Sequence, residues 1–369
     1  MKLVFSKSNL LKSVSIVMKA VPSRTTMPIL ECILIDASTS SIKFTSNDME
    51  LGIETYAEGL VLEKGVIALD AKIFSEIVRR LPDSEVTIET DSNLVATITC
   101  EKAKFNIPGK SGEDFAYLPM IEKNDCITMS QFTLKEVIRQ TIFSIAPNEN
   151  NKLMTGELFE VKNNFLKVVS LDGHRIAIRR LELNGTYADR KVVVPGKTLN
   201  EISKILSGEA EDKVQIYFSE NHILFEFDQT TVVSRLIDGE YFRIEQMLSS
   251  DYETKVKIHK KEFLDCIDRA TLLVKEGDKK PIIIHIGDDA MELRIDSAMG
   301  SMREDIDIEK TGKDIMIGFN PKFLMDALRV IDDEEVTIYL VNPKAPCFIK
   351  NDEESYIYLI LPVNINAAR

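Results

Sequence analysis

Cysteine is scarce in this chain, and no two cysteines are placed to work together. Cys32, Cys100, Cys126, Cys266 and Cys347 form no CxxC pair, so a thiol redox motif is excluded. An odd, scattered set fits a reducing compartment, where cysteines act as small apolar core residues, and a cytoplasmic location is expected. Histidine is rarer still, with four residues, and neither HExxH nor a Cys/His cluster suggests a metal. Walker A, GxGxxG and the GxSxG nucleophile elbow are all missing. Long apolar runs are absent too. The N-terminal run has three residues and "PIII" is typical of the rest, against the ~20 that span a bilayer. The expectation is a protein with no cofactor, no metal, no catalytic residue and no membrane partner.

What is present is repetition. The length of 369 residues allows two or three domains. Three stretches open alike, at "KLVFSKSNLLKSVSIVM", "CITMSQFTLKEVIRQTIF" and "KVKIHKKEFLDCIDRATLL". Each reads as a strand and then an amphipathic helix, with Leu10, Val14 and Val17, then Leu134, Val137 and Ile138, then Phe263, Ile267 and Ala270 at helical spacing. A second unit recurs as strand, capping or breaking residue, helix, polar turn and strand. Its capping positions, Asp70, Pro195 and Asn320, are 125 residues apart each time. Alternating strands fill the space between. The fold class is therefore α+β, in three modules of two helices each. Polar, patternless stretches place the modules at 1–123, 124–252 and 253–369.

The charge is sorted by element. Overall the chain carries −13, which by itself argues against nucleic acid. Yet the six expected helices hold 16 basic and nine acidic residues, net +7, so everything else carries −20. Lys72, Lys197 and Lys322 recur two residues past each capping position. A cation in a first turn opposes the helix dipole, so its threefold recurrence points to an external partner. If helices line the inside of a ring with antiparallel sheets outside, six at ~10 Å spacing leave a hole of about 9 Å. Twelve leave roughly 28 Å, enough for duplex DNA of about 20 Å. A ring around DNA would then need two copies of the chain.

"SLDGHRIAIRR" (170–180) resembles an active site. Aligned by repeat, "SNDMELGI" (46–53) places Asp48 where Asp172 stands, which makes the aspartate the head of a turn between strands. Gly173, His174 and Arg175 have no counterpart in that alignment, so binding a partner is favoured over scaffolding. "DIDIE" (305–309) alternates acids with Ile306 and Ile308, as a strand with one wet face does.

The threefold repeat, "SRTTMPIL" (23–30), "LDGHRIA" (171–177), "LIDGEYF" (236–242), "IGFNPKFL" (317–324) and the C-terminal "LPV" (361–363) together resemble the bacterial sliding clamps, the beta subunits of DNA polymerase III. The resemblance covers essentially the whole chain. It implies three tandem clamp modules and a ring-shaped head-to-tail homodimer that encircles double-stranded DNA without reading sequence. The function implied is processivity: a non-catalytic subunit, classed with the holoenzyme's nucleotidyltransferase activity, that tethers the replicative polymerase alpha subunit. It also implies one peptide cleft per chain for linear motifs of that subunit, the clamp loader, and repair and translesion polymerases. Residues matching the cleft are Leu153, Met154, Leu171, Gly173, His174, Arg175, Ile176, Phe242, Met247, Asn320, Phe323, Leu361, Pro362 and Val363. Residues matching DNA contacts are Arg24 and Lys72, with Asn148 and Lys152 in the loop between modules' elements, and the repeat adds Lys197 and Lys322. Lys102, Lys104, Phe105 and Ile107 match one side of the dimer contact, and Leu272, Leu273, Glu304 and Asp305 the other. Leu171 and Phe242 stand where the family commonly has threonine and proline. Two readings of other classes remain: a hydrolase using Asp172, His174 and Arg175, and an open repeat scaffold.

Overall fold

Six amphipathic helices and 24 strands make up the computed structural model, which describes residues 1–124, 126–147, 150–248, 251–274 and 280–365. Asn148, proposed above to contact DNA, lies outside the described residues, as do Lys275 and Glu276 of the helix charge count.

The helices are α1 (Lys7–Val17), α2 (Ala71–Arg80), α3 (Gln131–Thr141), α4 (Gly196–Ile205), α5 (Lys260–Thr271) and α6 (Pro321–Val330). Their starts follow from local chemistry. Asp70 accepts a hydrogen bond from the Ile73 amide, and Asn320 from the Lys322 amide, so both cap orphan donors of a first turn. Pro321 then sits at the first helical position, where no donor is needed. The apolar stripes turn inward: Leu10, Val14 and Val17 on α1, and Phe263, Ile267 and Ala270 on α5, are all buried. Four of the five cysteines are buried, and all five are free. Burial pushes the Cys266 and Cys347 thiols up to about 12, which keeps them unreactive.

The chain divides into two compact units, residues 1–135 with 197–236, and residues 136–196 with 237–369. Unit one holds a 13-stranded antiparallel sheet. Within it Leu51–Ala57 of the first repeat pairs with Thr230–Arg235 of the second, Ile53 facing Val232. Phe44 packs between Phe5 and Phe74 in its core. Unit two holds a seven-stranded and a four-stranded sheet. Within it the start of Arg175–Pro195 pairs with Tyr356–Ile360 of the third repeat, Ala177 facing Tyr358.

The repeat extends to single hydrogen bonds. Ser46 donates its hydroxyl to the Val17 carbonyl at the end of α1, and Ser170 donates to the Thr141 carbonyl at the end of α3, 2.5 Å away. Both serines are fully buried, where an unpaired hydroxyl would be costly.

Candidate functional site

The turn at 171–176 is built by its aspartate. One Asp172 carboxylate oxygen accepts from the His174 amide (2.9 Å) and the Arg175 amide (3.1 Å). Asp48 does the same for the Glu50 and Leu51 amides. The aspartate is thus repeat architecture. Gly173 also has a counterpart, contrary to the sequence alignment: it sits at φ +89°, and Met49 holds the same place at +75°. The left-handed turn, not a ligand, explains the glycine.

Arg175, which the resemblance places in the peptide cleft, is 7% exposed. Nε donates to Asp172 (3.0 Å), Nη1 to Asp326 of α6 (2.7 Å) and Nη2 to the Phe143 carbonyl (2.5 Å). Its guanidinium lies 4.4 Å from the Phe323 ring centroid and 5.4 Å from that of Phe143. Every face of the guanidinium is occupied, so Arg175 fixes the turn to α6 and offers a ligand little.

The remaining candidates converge in unit two. Leu171 and Ile176 are buried in a cluster with Leu158, Tyr241, Ile357 and Leu359. Leu153, Met154, Phe242 and Leu248 lie half-buried against it. The Phe242 ring meets Tyr241 edge-on at 5.6 Å. His174 is exposed, with its ring 6.1 Å from Phe323. The His174 carbonyl accepts from the Leu361 amide (2.9 Å), and Val363 bonds to the Gly318 carbonyl (2.8 Å). "LPV" is thereby held beside the turn with Leu361 and Val363 more than a third exposed. Met247 is half exposed, and Asn320 is occupied as the α6 cap. The result is an apolar surface with a few fixed polar groups, which is what a peptide-binding site needs.

An enzyme is not assembled here. The Asp172 carboxylate is engaged with backbone amides and Arg175, and no hydrogen bond links it to the His174 ring. No group of three metal-binding side chains occurs among the described residues.

The helix cations separate by partner. Arg79, Arg80, Arg139, Lys204, Lys261, Arg269 and Arg329 all pair with acids. Lys72 and Lys322 are exposed, and no ion pair holds them among the described residues. Lys197 differs, because Asp48 takes its charge. Arg24 and Lys152 are exposed.

Of the strand edges left open among the described residues, two carry the residues matched to the dimer contact. Gly300–Asp307 ends the four-stranded sheet. Ala103–Lys110 pairs with Val95–Cys100 on one side, and on the other only Gly109 and Lys110 are bonded. Phe105 is 40% and Leu272 74% exposed; Lys102 and Lys104 are exposed, Ile107 is buried, and Leu273 packs on the unit two core. Glu304 is bound by Arg269 at 2.9 Å, which holds its carboxyl below the ordinary range.

Three family models cover the chain: DNA polymerase III beta subunit, N-terminal domain at residues 1–119, central domain at 128–242 and C-terminal domain at 245–364. The chain belongs to the DNA polymerase III beta subunit family. The beta sliding clamp of Staphylococcus aureus is 34% identical over 357 residues, covering 94% of each chain. Among solved structures, a DNA polymerase III beta subunit from Eubacterium rectale is 71% identical with a TM-score of 0.96, over 99% of this chain and 100% of that one. The Bacillus subtilis sliding clamp is 34% identical with a TM-score of 0.95, over 99% of each. The chain is a sliding clamp, a non-catalytic processivity factor of DNA polymerase III, and the hydrolase reading falls. No helix among the described residues is long and apolar enough to cross a membrane.

Proposed function

We propose that two copies of this chain join head to tail into a ring around duplex DNA in the cytoplasm, each copy comprising modules 1–123, 124–252 and 253–369. The observation that carries this is the register of the sheet pairing. At the first module boundary Ile53 faces Val232, and at the second Ala177 faces Tyr358. These pairs are repeat equivalents. Ile53 lies opposite Ser46 in its hairpin and Ala177 opposite Ser170; Val232 lies opposite Phe225 and Tyr358 opposite Ile349. The same places in the two open edges belong to Met302, opposite Ile295, and Phe105, opposite Ile98. One rule therefore joins module to module, and the third application needs the edge of a second copy. Phe105 and Met302 supply an apolar centre, with Leu272 and Leu273 following α5 nearby in sequence. Lys102 and Lys104 approach an edge carrying Glu304 and Asp305, which suits such a contact.

Lys72 and Lys322, with Arg24 and Lys152, contact phosphates loosely and without reading bases; Lys197 is a weaker contact because Asp48 neutralises it. The apolar surface around Leu153, Met154, Leu171, His174, Phe242, Met247, Leu361, Pro362 and Val363 holds linear motifs of the replicative polymerase alpha subunit, the clamp loader, and repair and translesion polymerases. The test combines topology with register. With Phe105→Cys and Met302→Cys in one chain, mild oxidation links two copies covalently. Linked rings loaded on circular DNA stay on it and slide off after the DNA is cut. Equal retention on cut and closed DNA, or no cross-link, removes the ring.

A further inference from the structure

We infer that Glu157 is a positioning residue for the peptide cleft, held in the folded chain as a neutral carboxylic acid that supports the end of α3; this rests on the cleft reading above. Glu157 is the second residue of the strand Gly156–Leu171 and is fully buried. Period two puts it on the same side as Phe159 and Val161, both buried. Neither carboxylate oxygen has a hydrogen-bond partner, and no ion pair includes it among the described residues. A carboxylate in that setting has lost its water and gained nothing in return, so it takes up a proton.

The surroundings suit an acid. Thr141 is the polar neighbour, and its hydroxyl hydrogen is already donated to the Val137 carbonyl at 2.7 Å. What the Thr141 oxygen has left is a lone pair, which accepts from an O–H and repels a carboxylate. The titratable group facing Glu157 is the Tyr241 hydroxyl, which donates to the Val169 carbonyl (3.3 Å). Burial pushes Tyr241 up first, and the nearness of Glu157 adds to it. Burial likewise pushes Glu157 up to about 8.

Each neighbour leads to a wall of the cleft. The Thr141 carbonyl is held by Ser170, next to Leu171. Two residues on, the Phe143 carbonyl is held by Arg175. The Tyr241 ring meets Phe242. On the N-terminal side, Lys152–Thr155, which carries Leu153 and Met154, ends one residue before the strand begins. Ionising Glu157 draws water in beside these supports.

The folded value lies above the unfolded 4.5. The stability that the neutral acid brings is complete below about 4.5 and is lost as pH rises through about 8. Infrared difference spectra of the full chain against Glu157→Gln test the acid. At about pH 6 the wild type has a protonated-carboxyl C=O stretch that the variant lacks, and the band fades as pH passes about 8. An identical spectrum at about pH 6 overturns the proposal. Should Glu157→Gln not fold, titrating the wild-type band decides the same point. The positioning role is read from affinity for a synthetic peptide copying the clamp-binding segment of the organism's own polymerase. Wild-type affinity falls about threefold or more between about pH 7 and 9, while Glu157→Gln stays flat. Parallel profiles for the two proteins overturn the positioning role. If neither binds the peptide at any pH, the cleft reading and the positioning role fail together, and the infrared band still decides the acid.

Discussion

Arg175 and His174 are chain neighbours with opposite duties. Arg175 is buried and joins Asp172, Asp326 and the Phe143 carbonyl, while His174 is exposed beside Phe323. Asp326→Ala leaves a buried guanidinium short of a charged partner, so thermal melting should fall by the equivalent of about 1–3 kcal/mol. His174→Ala should leave melting unchanged and weaken capture of the polymerase peptide; the reverse pattern would exchange the two roles. Sequence separated the aspartate from its neighbours, because Asp48 marked the repeat. It could not show how Arg175 is held, because its partners Asp326 and Phe143 are far away in the chain. Glu157 was overlooked, although an acid in step with Phe159 and Val161 along a strand was a visible signal.

At the scale of elements, the helices were the most legible part. Their stripes, caps and 125-residue spacing follow from local rules, and all six form where the pattern put them. The balance of their charges was legible, but its availability was not. Eight of the helix cations are tied to acids, and sequence cannot show which. Lys72→Ala and Lys322→Ala should each lower the logarithmic salt slope of DNA binding by about 1. Lys197→Ala should lower it less, since Asp48 already holds that ammonium. Equal slopes for all three lysine variants would mean that the Asp48 pair opens on DNA.

Across the whole molecule, three repeats were readable from sequence, but the strand register was not. It depends on which residues of distant strands lie opposite each other, and local patterning carries only their alternation. That register supports a closed assembly of six modules. Joining two copies in tandem through a flexible linker should give one chain in which only a single pair of edges is left to meet. In the proposed ring that pair closes within the molecule, so sedimentation should give twice 41.7 kDa at every concentration. Its hold on circular DNA should outlast that of the two-chain ring on dilution. A tandem chain that polymerises would show that the join does not bring the ends round.

In the proposed ring, the open edges at Ala103–Lys110 and Gly300–Asp307 also make each copy a link with one hook and one eye. Such a link has a direction, and every link closed by the same rule points the same way. A ring of the proposed kind would have a front and a back, and the proposed peptide clefts of its two copies would face the same side. Threaded on DNA, it would present its partners towards one end of the duplex, and turning it over would require opening it.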